Sequence, residues 1–216
     1  MNNLKCLSGS QLKVFAIIIM TIDHVGATIF PQYIILRYIG RLAFPIFAFL
    51  IVEGMVYTHD SNKYLLRLAA FALISEIPFN LAFYQRVSYL SAQNIFFTLL
   101  IGGVCISIYQ KAKNQWFGFL FLYFLSLSAD LFQTDYGTVG VWLIFALYIV
   151  RGDLIKTAIV LIIVNACLFG GIQIYAIFAI IPICLYNGKR GFGMKQFFYG
   201  YYPVHLLILY LIAAYV

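Results

Sequence analysis

Charge is what this sequence has least of. Only 10% of its 216 residues are Asp, Glu, Lys or Arg, and 64% are hydrophobic. A soluble domain carries roughly 25% charged residues, so this chain has too little polar surface to cover a globule in water. Cysteine is also scarce. Cys6, Cys105, Cys167 and Cys184 have no metal-binding spacing, and three of them lie in apolar runs, where a thiol behaves as a small hydrophobe. No metal is expected. There is no internal repeat, no polar stretch long enough for a soluble domain, and no cleavable-signal pattern near residues 1–10. The net charge of +7 does not point to nucleic acid, because the basic residues are spread thinly between apolar runs as topology signals are.

What is present is a series of apolar segments. A membrane-crossing helix needs about 20 mostly apolar residues. Nine segments approach that requirement, at 12–30, 34–57, 64–84, 95–110, 115–130, 137–150, 154–169, 172–187 and 197–216. The sixth and seventh are short. The expectation is an all-α, polytopic helix bundle forming one domain over 1–216, in the cytoplasmic membrane and in contact with its lipids. The distribution of Lys and Arg gives an orientation. Lys5, Lys13, Lys63, Arg67, Lys111, Lys113, Arg151, Lys156, Lys189, Arg190 and Lys195 fall at one end of the alternating runs, whereas the other end holds Arg86 with Asp130 and Asp135. The basic end is expected in the cytoplasm, which puts the N-terminus inside and the C-terminus outside.

Apart from the residues already assigned to the two ends, seven Asp, Glu, Arg or His residues fall within the runs: Asp23, His24, Arg37, Arg41, Glu53, Glu76 and His205. Unpaired, each would cost a few kcal/mol or more at the bilayer centre, so they are expected to face one another or a watered cavity. At a rise of about 1.5 Å per residue, Asp23, His24, Arg37, Arg41 and Glu76 share a layer in the outer half, with His205 lower and Glu53 lower still. Glu53 is expected to pair with a lysine or reach water. Arg37 and Arg41 are four apart and share a helix face. Pro45 removes the helical donor for the Arg41 carbonyl, and Pro78 does the same for Ile74. Breaks of this kind are tolerated where helices line a cavity.

Several stretches, in order, carry a family resemblance: "TIDHVGA", "RYIGRLAFPIFAFLIVEG", "YLLRLAAFALISEIPFNLAF", "QNIFFTLLIG", "LYNGKRG" and "FFYGYYPVHLLILYL". Together they resemble the TraX family through nearly the whole chain. The namesake member is a conjugal-transfer protein that acetylates the N-terminus of F-type pilin. More distantly the family is similar to membrane acyltransferases that take an acyl group from cytoplasmic acyl-CoA. Many of those have a basic residue eleven positions before a first-helix histidine. Lys13 and His24 match that spacing, with Lys where Arg is usual.

The resemblance implies an acetyl-CoA-dependent N- or O-acetyltransferase whose acceptor is a peptide, glycan or lipid reached from the membrane or the outer side. The residues suit such chemistry. Because the unperturbed pKa of an imidazole is near neutral, His24 is the candidate base, or the nucleophile of a covalent route. Asp23 lies about 100° around the helix from His24 and is the better partner for an arginine. Glu76 is expected to hold the imidazole. Arg41 or Arg37 would meet the oxyanion, with His205 along the path. CoA phosphates would use Lys13, Asn187, Lys189, Arg190 and Lys195. Two rival readings are an ion-coupled transporter and a non-catalytic membrane subunit of a conjugation or secretion apparatus.

Overall fold

The computed structural model describes residues 5–193 and 195–215, with the side chains at 195 and 196 outside that description. Ten α-helices follow in order: α1 Gly9–Thr28, α2 Ile34–Gly40, α3 Ala43–Tyr57, α4 Ser61–Tyr84, α5 Ile95–Lys111, α6 Gln115–Leu131, α7 Gly137–Ile149, α8 Leu154–Ile162, α9 Ile180–Cys184 and α10 Lys195–Ala213. Between α8 and α9 the chain passes through a π-helix, Ile163–Phe169, and a 3₁₀ helix, Gly171–Ala179. Each apolar run is therefore helical. Three stretches, Gly9–Thr28, Ile34–Tyr57 and Ser61–Tyr84, are long and apolar enough to cross a membrane, and the others are shorter apolar helices.

The caps explain where helices begin. Ser8 and Gln11 form a capping box on α1, satisfying two of the donors that a helix start leaves open. Asp60, Asn94, Asn114 and Asp153 cap α4, α5, α6 and α8 through first-turn N–H groups. The Lys63 and Lys156 N–H bonds hold the Asp60 and Asp153 carboxyls below the usual carboxylate range by stabilising the charged form.

The two prolines behave differently. At Pro45 the helix breaks: α2 ends at Gly40 and α3 restarts at Ala43, with Arg41 and Leu42 between them. At Pro78 the helix does not break, and α4 runs through from Ser61 to Tyr84.

Connections meet at two ends. At the basic end Leu7 bridges Tyr186, Arg151 bonds Glu53 and Lys111 bonds Asn62. At the opposite, far end Gln93 bridges Thr134. Glu53 was expected to find a lysine or water. It is instead buried, with Arg151 Nε 2.6 Å from its Oε1 and the Arg151 guanidinium 5.0 Å from the Tyr57 ring centroid. The turn between α7 and α8 brings an arginine back over α3, and a guanidinium can reach inward while its stem stays in apolar contact.

Large apolar side chains cover the outside, among them Leu66, Leu73, Trp116, Phe117, Ile155 and Leu211. A water-facing protein does not display so much contiguous apolar surface, whereas lipid tails suit it.

The tightest approach is between α1 and α2. Gly26 faces the Leu36 side chain and Gly40 faces Asp23. Asp23 is 6% exposed and binds Arg37 Nη1 at 2.7 Å and Arg41 Nη2 at 2.6 Å. A Cβ at position 40 would occupy the space of the carboxylate. Gly40→Ala is therefore expected to displace Asp23 and lower stability by about 1–3 kcal/mol, read as thermal unfolding in detergent. Gly200→Ala, where an added Cβ meets nothing, should be neutral or slightly stabilising. Asp23→Ala should cost more, about 3–5 kcal/mol, because two partly buried guanidiniums lose the carboxylate they both bind.

Candidate functional site

A cavity of about 190 Å³ lies where α1, α2, α3, α4 and α10 converge, towards the far end. Its polar wall consists of Asp23, His24, Arg37, Arg41 and Asp135, and much of the remainder is aromatic, including Phe44, Phe83, Tyr136 and Tyr202. The break at Pro45 shapes this wall. Arg37 comes from the last turn of α2, Arg41 from the break itself, and both reach back to α1. Arg41 Nη2 contacts both Asp23 oxygens, and Arg37 Nη1 also bonds the Asp23 carbonyl at 3.1 Å. With both guanidiniums on one carboxylate, Asp23 is fully engaged. The Arg41 Nε–H is a buried donor without a partner.

His24 has a different kind of partner. Its Nδ1 lies 2.7 Å from His205 Nε2. His205, only 6% exposed, has its Nδ1 2.9 Å from the Tyr201 carbonyl oxygen. A carbonyl only accepts, so His205 Nδ1 carries a hydrogen. In a neutral ring His205 Nε2 is then an acceptor. His24 Nδ1 must be the donor to it, which leaves His24 Nε2 as the unprotonated nitrogen. Phe83 and Tyr202 wedge the His24 ring edge to face, at centroid distances of 5.3 and 6.0 Å.

Tyr201 holds its own place. Thr21 Oγ1 donates to the Ile17 carbonyl, so the Tyr201 hydroxyl donates to Thr21 Oγ1 across 2.8 Å. That bond fixes the register of α10 against α1.

Five of the residues singled out in the sequence, Asp23, His24, Arg37, Arg41 and His205, thus come together. Depth counting placed His205 too low. Run boundaries carry no information on tilt, and the two imidazoles lie in one layer. Glu76 does not hold the imidazole. Its carboxylate takes Asn94 Nδ2 at 2.6 Å, the Asn94 N–H at 3.4 Å and Asn80 Nδ2 at 3.3 Å. It sits at the start of α5, where a helix dipole favours negative charge. Asn94 is the residue whose role the sequence reading missed. Its position just before an apolar run marked it as a cap, and a cap 18 residues beyond Glu76 is what draws that carboxylate away.

The residues expected to hold CoA lie at the basic end. The loop after α9 is seated on the first turn of α1: Gly9 and Ser10 N–H donate to the Lys189 and Arg190 carbonyls at 2.8 and 3.0 Å. Asn187 is a turn residue rather than an open contact, since its Oδ1 accepts from the Lys189 N–H and its N–H donates to Leu7. The Lys189 and Arg190 side chains are exposed. Lys13 Nζ lies 5.5 Å from the Phe198 ring centroid, and the Lys195 side chain is outside the described residues. His24 is fifteen residues along α1 from Gly9, about 22 Å of helix rise.

The sequence profile of a family described as "TraX protein" matches residues 8–213. The chain is 31% identical over 233 aligned positions to a probable fimbrial assembly protein, FimC of serogroup H1, from Dichelobacter nodosus, covering 94% of each. It is 30% identical over 136 positions to the uncharacterised protein RP591 of Rickettsia prowazekii (strain Madrid E), covering 59% of this chain and 50% of that one. No solved structure matches it. With nearly its whole length matched, the chain belongs to the TraX family.

Proposed function

We propose that this chain is a membrane-embedded acetyltransferase that moves an acetyl group from acetyl-CoA to an amine or hydroxyl acceptor, with a role in pilus or fimbrial assembly. In this reading all nine apolar runs cross the cytoplasmic membrane, the short ones with tilt, and the basic end faces the cytoplasm. The observation that carries the proposal is that His24, whose hydrogen bonding leaves Nε2 without a hydrogen, lines a cavity that also holds two guanidiniums. The similarity to a protein named for fimbrial assembly supports the physiological setting.

The geometry supports the following chemistry. The acceptor gives its N–H or O–H proton to His24 Nε2 as its lone pair attacks the thioester carbonyl. The oxyanion that forms needs a positive donor in a dry site. Arg37 and Arg41 supply charge, and the Arg41 Nε–H is a donor with no other partner. As the C–S bond breaks, the proton on His24 passes to the departing CoA sulfur. Asp23 engages both guanidiniums and Asp135 shares the wall with them, so the Arg41 Nε–H is the donor left for the oxyanion. The phosphates of CoA would meet Lys189 and Arg190 at the basic end, and its long pantetheine arm would span the distance to His24. The acceptor would enter past Asp135 and Tyr136 at the far end.

One feature favours a carrier instead. The π-helix and the 3₁₀ helix form a discontinuous pair around Gly170 and Gly171. Among the described residues the buried Asn165 Oδ1 has no hydrogen-bond partner, and unwound helices with free acceptors recur at transporter ion sites.

His24→Ala is expected to lower acetyl transfer by roughly 10²–10⁴-fold while the protein still inserts and keeps its unfolding temperature. The readout is thiol release from acetyl-CoA by purified protein with acceptor present. Wild-type turnover in that variant removes His24 from the mechanism. Uptake into proteoliposomes without thiol release favours the carrier. Separately, Lys189→Ala with Arg190→Ala should weaken acetyl-CoA binding about tenfold or more, as expected for the loss of two charge-assisted phosphate contacts. Unchanged affinity in a direct binding measurement excludes that loop as the phosphate site.

A further inference from the structure

The two imidazoles are arranged for more than orientation. Their planes are 7° apart and their centroids 5.0 Å apart, while the facing nitrogens are 2.7 Å apart. With centroids that far apart, the contact runs edge to edge in nearly one plane, so the His24 N–H points along the His205 lone pair. Behind it the Tyr201 ring lies against His205 at a centroid distance of 5.0 Å. Tyr201 itself is tied to Thr21. The Tyr201 ring and carbonyl thus hold His205 towards His24.

We propose that the two rings act as one base with two stations: the acceptor's proton enters at His24 Nε2, and the proton displaced from His24 Nδ1 moves to His205 Nε2. This rests on the reading of His24 as the base. The proton count closes. An N–H or O–H bond of the acceptor breaks as Nε2–H forms on His24, and Nδ1–H breaks on His24 as Nε2–H forms on His205. His24 ends neutral as its other tautomer, and His205 ends as the imidazolium. When the C–S bond breaks, His24 Nε2–H passes to sulfur and the His205 proton returns.

Electrostatics gives the transfer its direction. A charge left on His24 would face Arg37 and Arg41 across the same cavity, and the nearest carboxylate, Asp23, is already bound to both. The other ionisable groups lining the cavity are Tyr84 from α4, Asp135 and Tyr136 from the far-end connection, and Tyr202 from α10. On His205 the charge is one ring further from the guanidiniums, and it strengthens the bond from His205 Nδ1–H to the Tyr201 carbonyl, since charged donors make the stronger hydrogen bonds.

The test uses the full-length protein in detergent with ¹⁵N-labelled histidine, compared with His205→Gln and His205→Phe. Glutamine can accept from His24 Nδ1–H but cannot take the proton, whereas phenylalanine can do neither. At rest, His24 should carry its proton on Nδ1 in the wild type and in His205→Gln, and lose that preference in His205→Phe. On acidification of the wild type, the first proton taken up should leave His205 protonated on both nitrogens and His24 on Nε2 alone.

In turnover, the solvent-isotope proton inventory should be curved for the wild type, reflecting two protons in flight, and linear for His205→Gln. That variant's kcat should fall roughly 10–100-fold, with KM for acetyl-CoA unchanged. A first proton that leaves His24 doubly protonated, or a His205→Phe variant as active as wild type, overturns the proposal. If the wild type titrates as described but releases no thiol, the acetyltransferase reading fails and the two-ring base stands.

Discussion

One carboxylate shared by two guanidiniums holds this bundle together where it is least suited to charge. Burying Asp23, Arg37 and Arg41 separately would cost several kcal/mol each. Brought together, they cross-link α1 to the α2–α3 break at 2.6–2.7 Å. Glycines at 26 and 40 give the backbones the clearance that this contact requires. An ion cluster of this kind adds little net stability over an apolar alternative. Its value lies in specificity, because alternative packings of α1 on α2 would strand at least one charge. The cluster also places two guanidiniums beside a cavity whose wall carries a second carboxylate, Asp135.

The cavity depends on two further devices. Pro45 interrupts the second run at Arg41, so that residue sits at a break and is free to turn inward instead of continuing a helix ladder. Tyr136, from the connection between α6 and α7, stacks on Phe44 at a centroid distance of 3.6 Å. It brings the neighbouring Asp135 to the mouth of the site. Aromatic walls limit water, and limited water increases the effect of the remaining guanidinium charge.

Much of this was legible in the sequence, and the remainder was hidden for identifiable reasons. The nine apolar runs became helices because hydrophobic length is a strong signal. The pairing of Asp23 with arginine rather than with His24 follows from the 100° step of a helix, and the shared face of Arg37 and Arg41 follows from their spacing. Residue spacing does not encode tilt, so His205 was counted into a lower layer than His24. Glu76 and Glu53 were misassigned because their partners, Asn94 and Arg151, sit in connections that return from elsewhere in the chain. Pro78 looked equivalent to Pro45, yet α4 accommodates it, and nothing local distinguishes the two. The π and 3₁₀ turns after α8 likewise lack a periodicity that sequence could reveal.

The choice of partner for His24 has a chemical consequence. A carboxylate beside Nδ1 would favour the charged imidazole and so tend to fill Nε2 with a proton. A second neutral imidazole, pinned by a backbone carbonyl, fixes the same tautomer without adding negative charge. Of the two carboxylates on this wall, Asp23 is engaged by two arginines, and neither Asp23 nor Asp135 makes a hydrogen bond to the ring among the described residues. The arrangement therefore separates two tasks that a histidine–carboxylate pair combines. Asp23 sets the charge balance of the cavity, and His205 sets the protonation state of the nitrogen that faces it. Because separate residues perform them, each can be altered without removing the other, and the second nitrogen of His24 stays unprotonated beside the two guanidiniums.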